Sequence, residues 1–151
     1  MNKAFSLLAL SLFLLVSCSQ EISSEEHDRV RDIILSEQYW TFNTTEMEEM
    51  IPDTLESRDL RIASISTRNL QGVILEFHPD STVTINIPSK DQQMGRWVIS
   101  ERGDSLSLLT GVGKINYQYI SEINPERVVL AANPTKGVLV PKILYPLNRE
   151  K

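Results

Sequence analysis

Few side chains in this chain of 151 residues could do chemistry, and their spacing narrows what that chemistry is. The sole thiol is Cys18, so no disulfide can close within one chain and no thiolate metal site can be assembled. The two histidines, His27 and His78, have no second histidine four residues away, which is the spacing of a helical metal pair. His78 and Asp80 stand at dyad spacing, yet a polar pair flanking a hairpin turn is ordinarily just solvated. Glu46, Glu48 and Glu49 cluster without the alternating Asp or Asn and the central Gly of a calcium loop, so a solvated helix face is expected. Gly111-Val112-Gly113 has no helix after it to cradle a phosphate, and no Gly-x-Ser-x-Gly elbow occurs. These readings predict a non-enzymatic chain with no catalytic set, no metal and no cofactor.

Cys18 stands at the end of a distinctive leader. Met1-Asn2-Lys3 is a short cationic start, and Ala4 to Val16 is a mainly apolar run without charge. That run is shorter than the roughly 20 residues a bilayer span needs, but it fits the roughly 7–15 of a signal-peptide core. It closes on Leu15-Val16-Ser17-Cys18: an apolar residue three before the cysteine, a small residue just before it, then Cys. The pattern resembles the lipobox of bacterial lipoproteins. The resemblance implies that the Cys18 thiol takes a diacylglyceryl group, that a peptidase cuts between Ser17 and Cys18, and that the new amine is acylated, for example with palmitate. Each buried methylene contributes about 0.8 kcal/mol, so two or three chains hold where one binds only reversibly. The implied location is the cell envelope, lipid-anchored to a membrane from outside the cytoplasm. Ser19 stands where some enteric lipoproteins carry the Asp that retains them at the inner membrane, which favours the outer membrane.

The formal charge is −5, and loss of Lys3 with residues 1–17 takes it to −6. No run of Lys or Arg exceeds two, so neither a nucleic-acid stripe nor charge-driven binding to anionic lipid is expected. Three segments follow: residues 1–17 as signal peptide, 18–35 as polar tether and short helix, and 36–151 as one domain held by its apolar core alone. Ser23 and Glu26 have capping-box spacing, and Val30, Ile33 and Ile34 continue with helical periodicity, predicting a helix over 24–37. Thr45 and Glu48 repeat the capping pair before Met47, Met50 and Ile51, and Pro52 stops that short helix.

From residue 60 the pattern is read as alternating, with Leu60–Ser66 as a strand like Tyr39–Asn43 before it. Val73, Leu75 and Phe77 turn at Pro79-Asp80-Ser81 into Val83, Ile85 and Ile87. Trp97 and Ile99 turn at Arg102-Gly103-Asp104 into Leu106 and Leu108. Ile115, Tyr117 and Tyr119 turn at Asn124-Pro125-Glu126 into Val128-Val129-Leu130. Pro141 and Pro146 confine the last segment to an edge or split it. Short loops make neighbours antiparallel. The expected fold is therefore all-β: an antiparallel meander of eight or nine strands forming a small barrel or strongly bent sheet, with a short N-terminal helix.

Trp40, the run Leu75-Glu76-Phe77-His78-Pro79-Asp80-Ser81-Thr82-Val83, and Gly95-Arg96-Trp97 resemble the lipocalin-like domains of small Bacteroidota lipoproteins. In such a barrel Phe77, Trp97, Tyr117 and Tyr119 are the candidate lining of an interior that binds a small apolar ligand. The competing arrangement is a barrel filled by its own side chains. A second reading makes the chain a protein-interaction module, an envelope-assembly subunit or inhibitor, pairing with an envelope protein through an exposed edge strand near Val138–Tyr145.

Overall fold

The computed structural model describes residues 24–110, 117–133, 135 and 137–147. The calls on Cys18, on the lipobox residues Leu15, Val16 and Ser17, on Ser23, and on Gly111-Val112-Gly113 fall outside them. Helix α1 covers 24–36. Strand β1 (Tyr39–Phe42) follows, then α2 (Thr44–Glu49) and α3 (Ser57–Arg68). The remaining strands are β2 (Ile74–Phe77), β3 (Thr82–Asn86), β4 (Gln93–Ile99), β5 (Ser105–Leu109), β6 (Gln118–Asn124), β7 (Arg127–Leu130) and β8 (Lys142–Pro146). They form a closed barrel in chain order, antiparallel throughout, in which β1 pairs with both β2 and β8.

Closure follows from the two-residue side-chain period. Trp40 and Phe42 on β1 stand opposite Leu75 of β2 and Leu144 of β8 respectively, and Leu75 stands opposite Ile85. Trp97 stands opposite Leu108, and Ile99 opposite Leu106. All of these except the half-buried Leu108 are nearly inaccessible to solvent. A one-residue slip anywhere would turn such a row toward water, so the register is strongly specified. A register shift between Ile120 and Glu122 lets Ile120 meet Leu130 and Ile123 meet Val128, so two isoleucines three apart serve one row.

The helices close what the strands leave open. Val30 and Ile34 of α1 join the core, and the Trp40 indole N–H donates to the carbonyls of Ile34 (3.0 Å) and Glu37 (2.9 Å) at the helix's end. Arg31 donates to the Pro79 carbonyl at 2.8 Å, which ties α1 to the β2–β3 turn. At the β4–β5 turn Gly103 has φ +73°, and a Cβ there would lie 2.8 Å from backbone atoms of Glu26 and His27. Only glycine lets α1 sit so close. Among the described residues, the buried core runs from Val30 to Leu144.

Three expectations about the fold are corrected here. Leu60–Ser66 is helix α3, not a strand. The cap of α2 is Asn43, whose side-chain oxygen accepts from the Glu46 N–H at 3.1 Å, rather than Thr45. Within the segment Val138–Tyr145, strand β8 is not an exposed edge: from Lys142 onward it hydrogen-bonds to β7 on one side and β1 on the other. Pro146, lacking an N–H, is tolerated at the last position of that strand, where the ladder ends.

Candidate functional site

Phe77 and Trp97 lie against each other. They pack edge to face with centroids 5.6 Å apart, both buried, and the Trp97 indole N–H donates to the His78 carbonyl at 3.0 Å. Tyr119 stands opposite Ser105 and is 59% exposed, while its neighbour Ile120 takes the inward place. Tyr117 is half-buried just before β6. Of the four aromatics, Phe77 and Trp97 are thus brought together, while Tyr119 is turned toward solvent.

The polar candidates are also separated. His78 shares a 2.9 Å hydrogen bond between its Nε2 and the Thr84 hydroxyl. Asp80 instead accepts from the Thr82 hydroxyl (2.6 Å) and N–H (3.0 Å), and these bonds hold its carboxyl below the usual range. The two residues form no dyad. Among the described residues no group of three or more His, Cys, Asp or Glu is placed to hold a metal ion.

Glu46 is not part of a solvated face. Its carboxylate accepts from the Arg127 guanidinium and, at 2.7 Å, from the Tyr145 hydroxyl. Arg127 lies over the Tyr145 ring, 5.9 Å from its centroid. The bond to Glu46 pushes the Tyr145 hydroxyl above its ordinary pKa, because ionisation would set two negative oxygens side by side. This network fastens α2 to β7 and β8.

Beside that fastening lies a cleft of about 310 Å³. Helix α3 supplies Ile62, Ala63, Ser66 and Thr67, and Leu70 follows it. Helix α2 adds Met47, and the opposite wall is the chain entering β8, from Gly137 through Val140 to Lys142. Ala63 and Thr67, four apart, are the buried stripe of α3, which turns Ile62 and Ser66 toward the opening. Lys142 opens β8 opposite Leu130 and is half-buried. Burial holds its ammonium below the ordinary lysine range.

Sequence reasoning missed this cleft because it read α3 as a strand. A signal was present: residues 53–71 contain neither Gly nor Pro, and they lie between Pro52 and Gly72. Asp59 in the first turn and Arg68 in the last also suit the helix dipole. Nothing in the sequence marked Lys142.

In class, then, the chain is an all-β protein, a closed eight-stranded antiparallel barrel with helices packed on it. No protein-family model and no curated protein matches it. Among solved structures it is similar to the crystal structure of a DUF4847 family protein from Bacteroides vulgatus, at 12% identity and a TM-score of 0.47. That match covers 80% of this chain and 99% of the other.

Proposed function

We propose that this is an exported, lipid-anchored binding protein of the cell envelope, acting by holding a small apolar ligand rather than by catalysis. In this reading Cys18 carries the lipid, at the outer membrane. The barrel is a lipocalin-like support, and the ligand lies in the cleft between α3 and the entry to β8 rather than inside the barrel. The observation that carries the reading is the cleft itself, about 310 Å³ with a mainly aliphatic wall. Sites for small molecules are concave, mostly apolar and equipped with few polar groups, and this volume is at the small end of their usual roughly 300–1,000 Å³. The packed aromatic pair at Phe77 and Trp97 disfavours the interior as an alternative.

Two measurements test this. Residues 18–151, which include every core residue among those described, should give one-to-one adducts with octanol or octanoate in native mass spectrometry. Ser66→Trp, which fills the cleft from an exposed position, should remove them. Adducts that survive the tryptophan would dismiss the cleft. For the anchor, the full chain should incorporate a labelled palmitate analogue and fractionate with membranes, whereas Cys18→Ser should do neither. Equal labelling of the two would dismiss the anchor.

A further inference from the structure

We propose that the cleft beside α3 selects an amphiphile with an anionic head on a short apolar tail, and that Lys142 receives the head. This rests on the reading that the cleft is the ligand site. Among the described residues, Lys142 is the one ionisable side chain that lines it. No hydrogen bond or ion pair reaches the Lys142 ammonium from the described residues, and desolvation alone lowers its pKa. Arg127, comparably sheltered on the neighbouring strand, shows the contrast: it has Glu46 and Glu122 as counter-charges. Lys142 has been drawn away from water without one.

Even a half-buried cation without a partner carries a desolvation cost, which is recovered when an anion supplies the missing charge-assisted hydrogen bonds. An ammonium is a compact donor of three protons and suits a carboxylate oxygen. The Ser66 and Thr67 hydroxyls stand on the facing wall, on α3, and add donors of adjustable direction. A neutral molecule of the same shape fills the aliphatic wall but leaves the cation unpaired. Size sets the tail: about 310 Å³ holds roughly ten water-sized groups, enough for a carboxylate and a short chain and far too little for a two-chain lipid.

The test compares octanoate with octanol on residues 18–151 by titration calorimetry, in the parent, Lys142→Met and Lys142→Arg. A cooperative urea transition is recorded for each to show that it is folded. The parent should bind octanoate about tenfold more tightly than octanol, a ratio worth about 1.4 kcal/mol. Lys142→Met should lose that preference while still binding octanol, and Lys142→Arg should keep it. Equal binding of both probes by the parent, or a preference that persists in Lys142→Met, overturns the assignment of Lys142 and leaves the cleft as a site. Binding of neither probe by the parent overturns the cleft as well.

Discussion

Removing the Glu46 carboxylate is the perturbation whose consequence can be worked most fully from the structure. Glu46 accepts two strong hydrogen bonds, from Arg127 and from the Tyr145 hydroxyl at 2.7 Å, while its contact with the Asn43 amide is long at 3.4 Å. Hydrogen bonds to charged groups contribute about 1.5–3 kcal/mol each. The Glu46 and Arg127 side chains are 28% and 29% exposed, so screening by solvent holds each bond near the bottom of that range. Glu122 approaches Arg127 only to 3.7 Å, too far for a hydrogen bond, and offsets little. Glu46→Ala should therefore cost about 2–3 kcal/mol, or about 10 °C in Tm for a domain of this size.

The assay is urea denaturation of parent, Glu46→Ala, Tyr145→Phe and the double variant. Tyr145→Phe alone should cost about 1 kcal/mol, and almost nothing once Glu46 is gone. The pH dependence has a definite sign. Glu46 raises the Tyr145 pKa in the folded protein, so the bond's contribution is complete below the ordinary tyrosine value of about 10 and fades as pH rises through the elevated one. The advantage of the parent over Tyr145→Phe should shrink accordingly in alkali. Single-variant costs that simply add, within about 0.5 kcal/mol, would refute the claim that these residues form one network.

Three further outcomes are expected. Gly95→Ala places a Cβ 2.4 Å from the Leu109 carbonyl oxygen, so β4 and β5 must part; the urea midpoint should report a loss of about 1–3 kcal/mol, and an unchanged midpoint contradicts that contact. Lys142→Met should stabilise the domain by about 1 kcal/mol near neutral pH. The cost of the partly desolvated ammonium is present below its depressed folded pKa and vanishes above the ordinary lysine value, so the parent should draw level as pH rises between the two, followed by thermal melts. Tyr119→Ser should change stability by less than about 0.5 kcal/mol, because the ring faces solvent; a loss of several kcal/mol would put the ring back inside.

The hairpins were legible because their signals are local. The alternation of Leu75 and Phe77, the turn at Pro79-Asp80-Ser81 and the return through Val83 and Ile85 lie within a dozen residues, and β2 and β3 form where they predict. The turns at Arg102-Gly103-Asp104 and Asn124-Pro125-Glu126 behave alike. Helix α3 was not legible in this way. Leu60, Ile62 and Ile65 are apolar yet 42–48% exposed, so they gave a false strand pattern, while the buried stripe is the inconspicuous pair Ala63 and Thr67. The inward side of β6 was misread for a related reason. Tyr119 is the bulkier residue, but pairing with β5 assigns the interior to Ile120.

By itself the sequence determined the all-β class, the antiparallel order of neighbours and the short helix before them, since periodicity and turn chemistry act over a few residues. Tertiary structure decided the rest. Whether β8 is an edge depends on its meeting β1, about a hundred residues away, and closure removes the edge. Whether Phe77 and Trp97 meet depends on β2 and β4 both pairing with β3. Whether Lys142 is solvated or enclosed depends on α3 lying opposite it, a juxtaposition set by packing between distant segments and written in no local pattern.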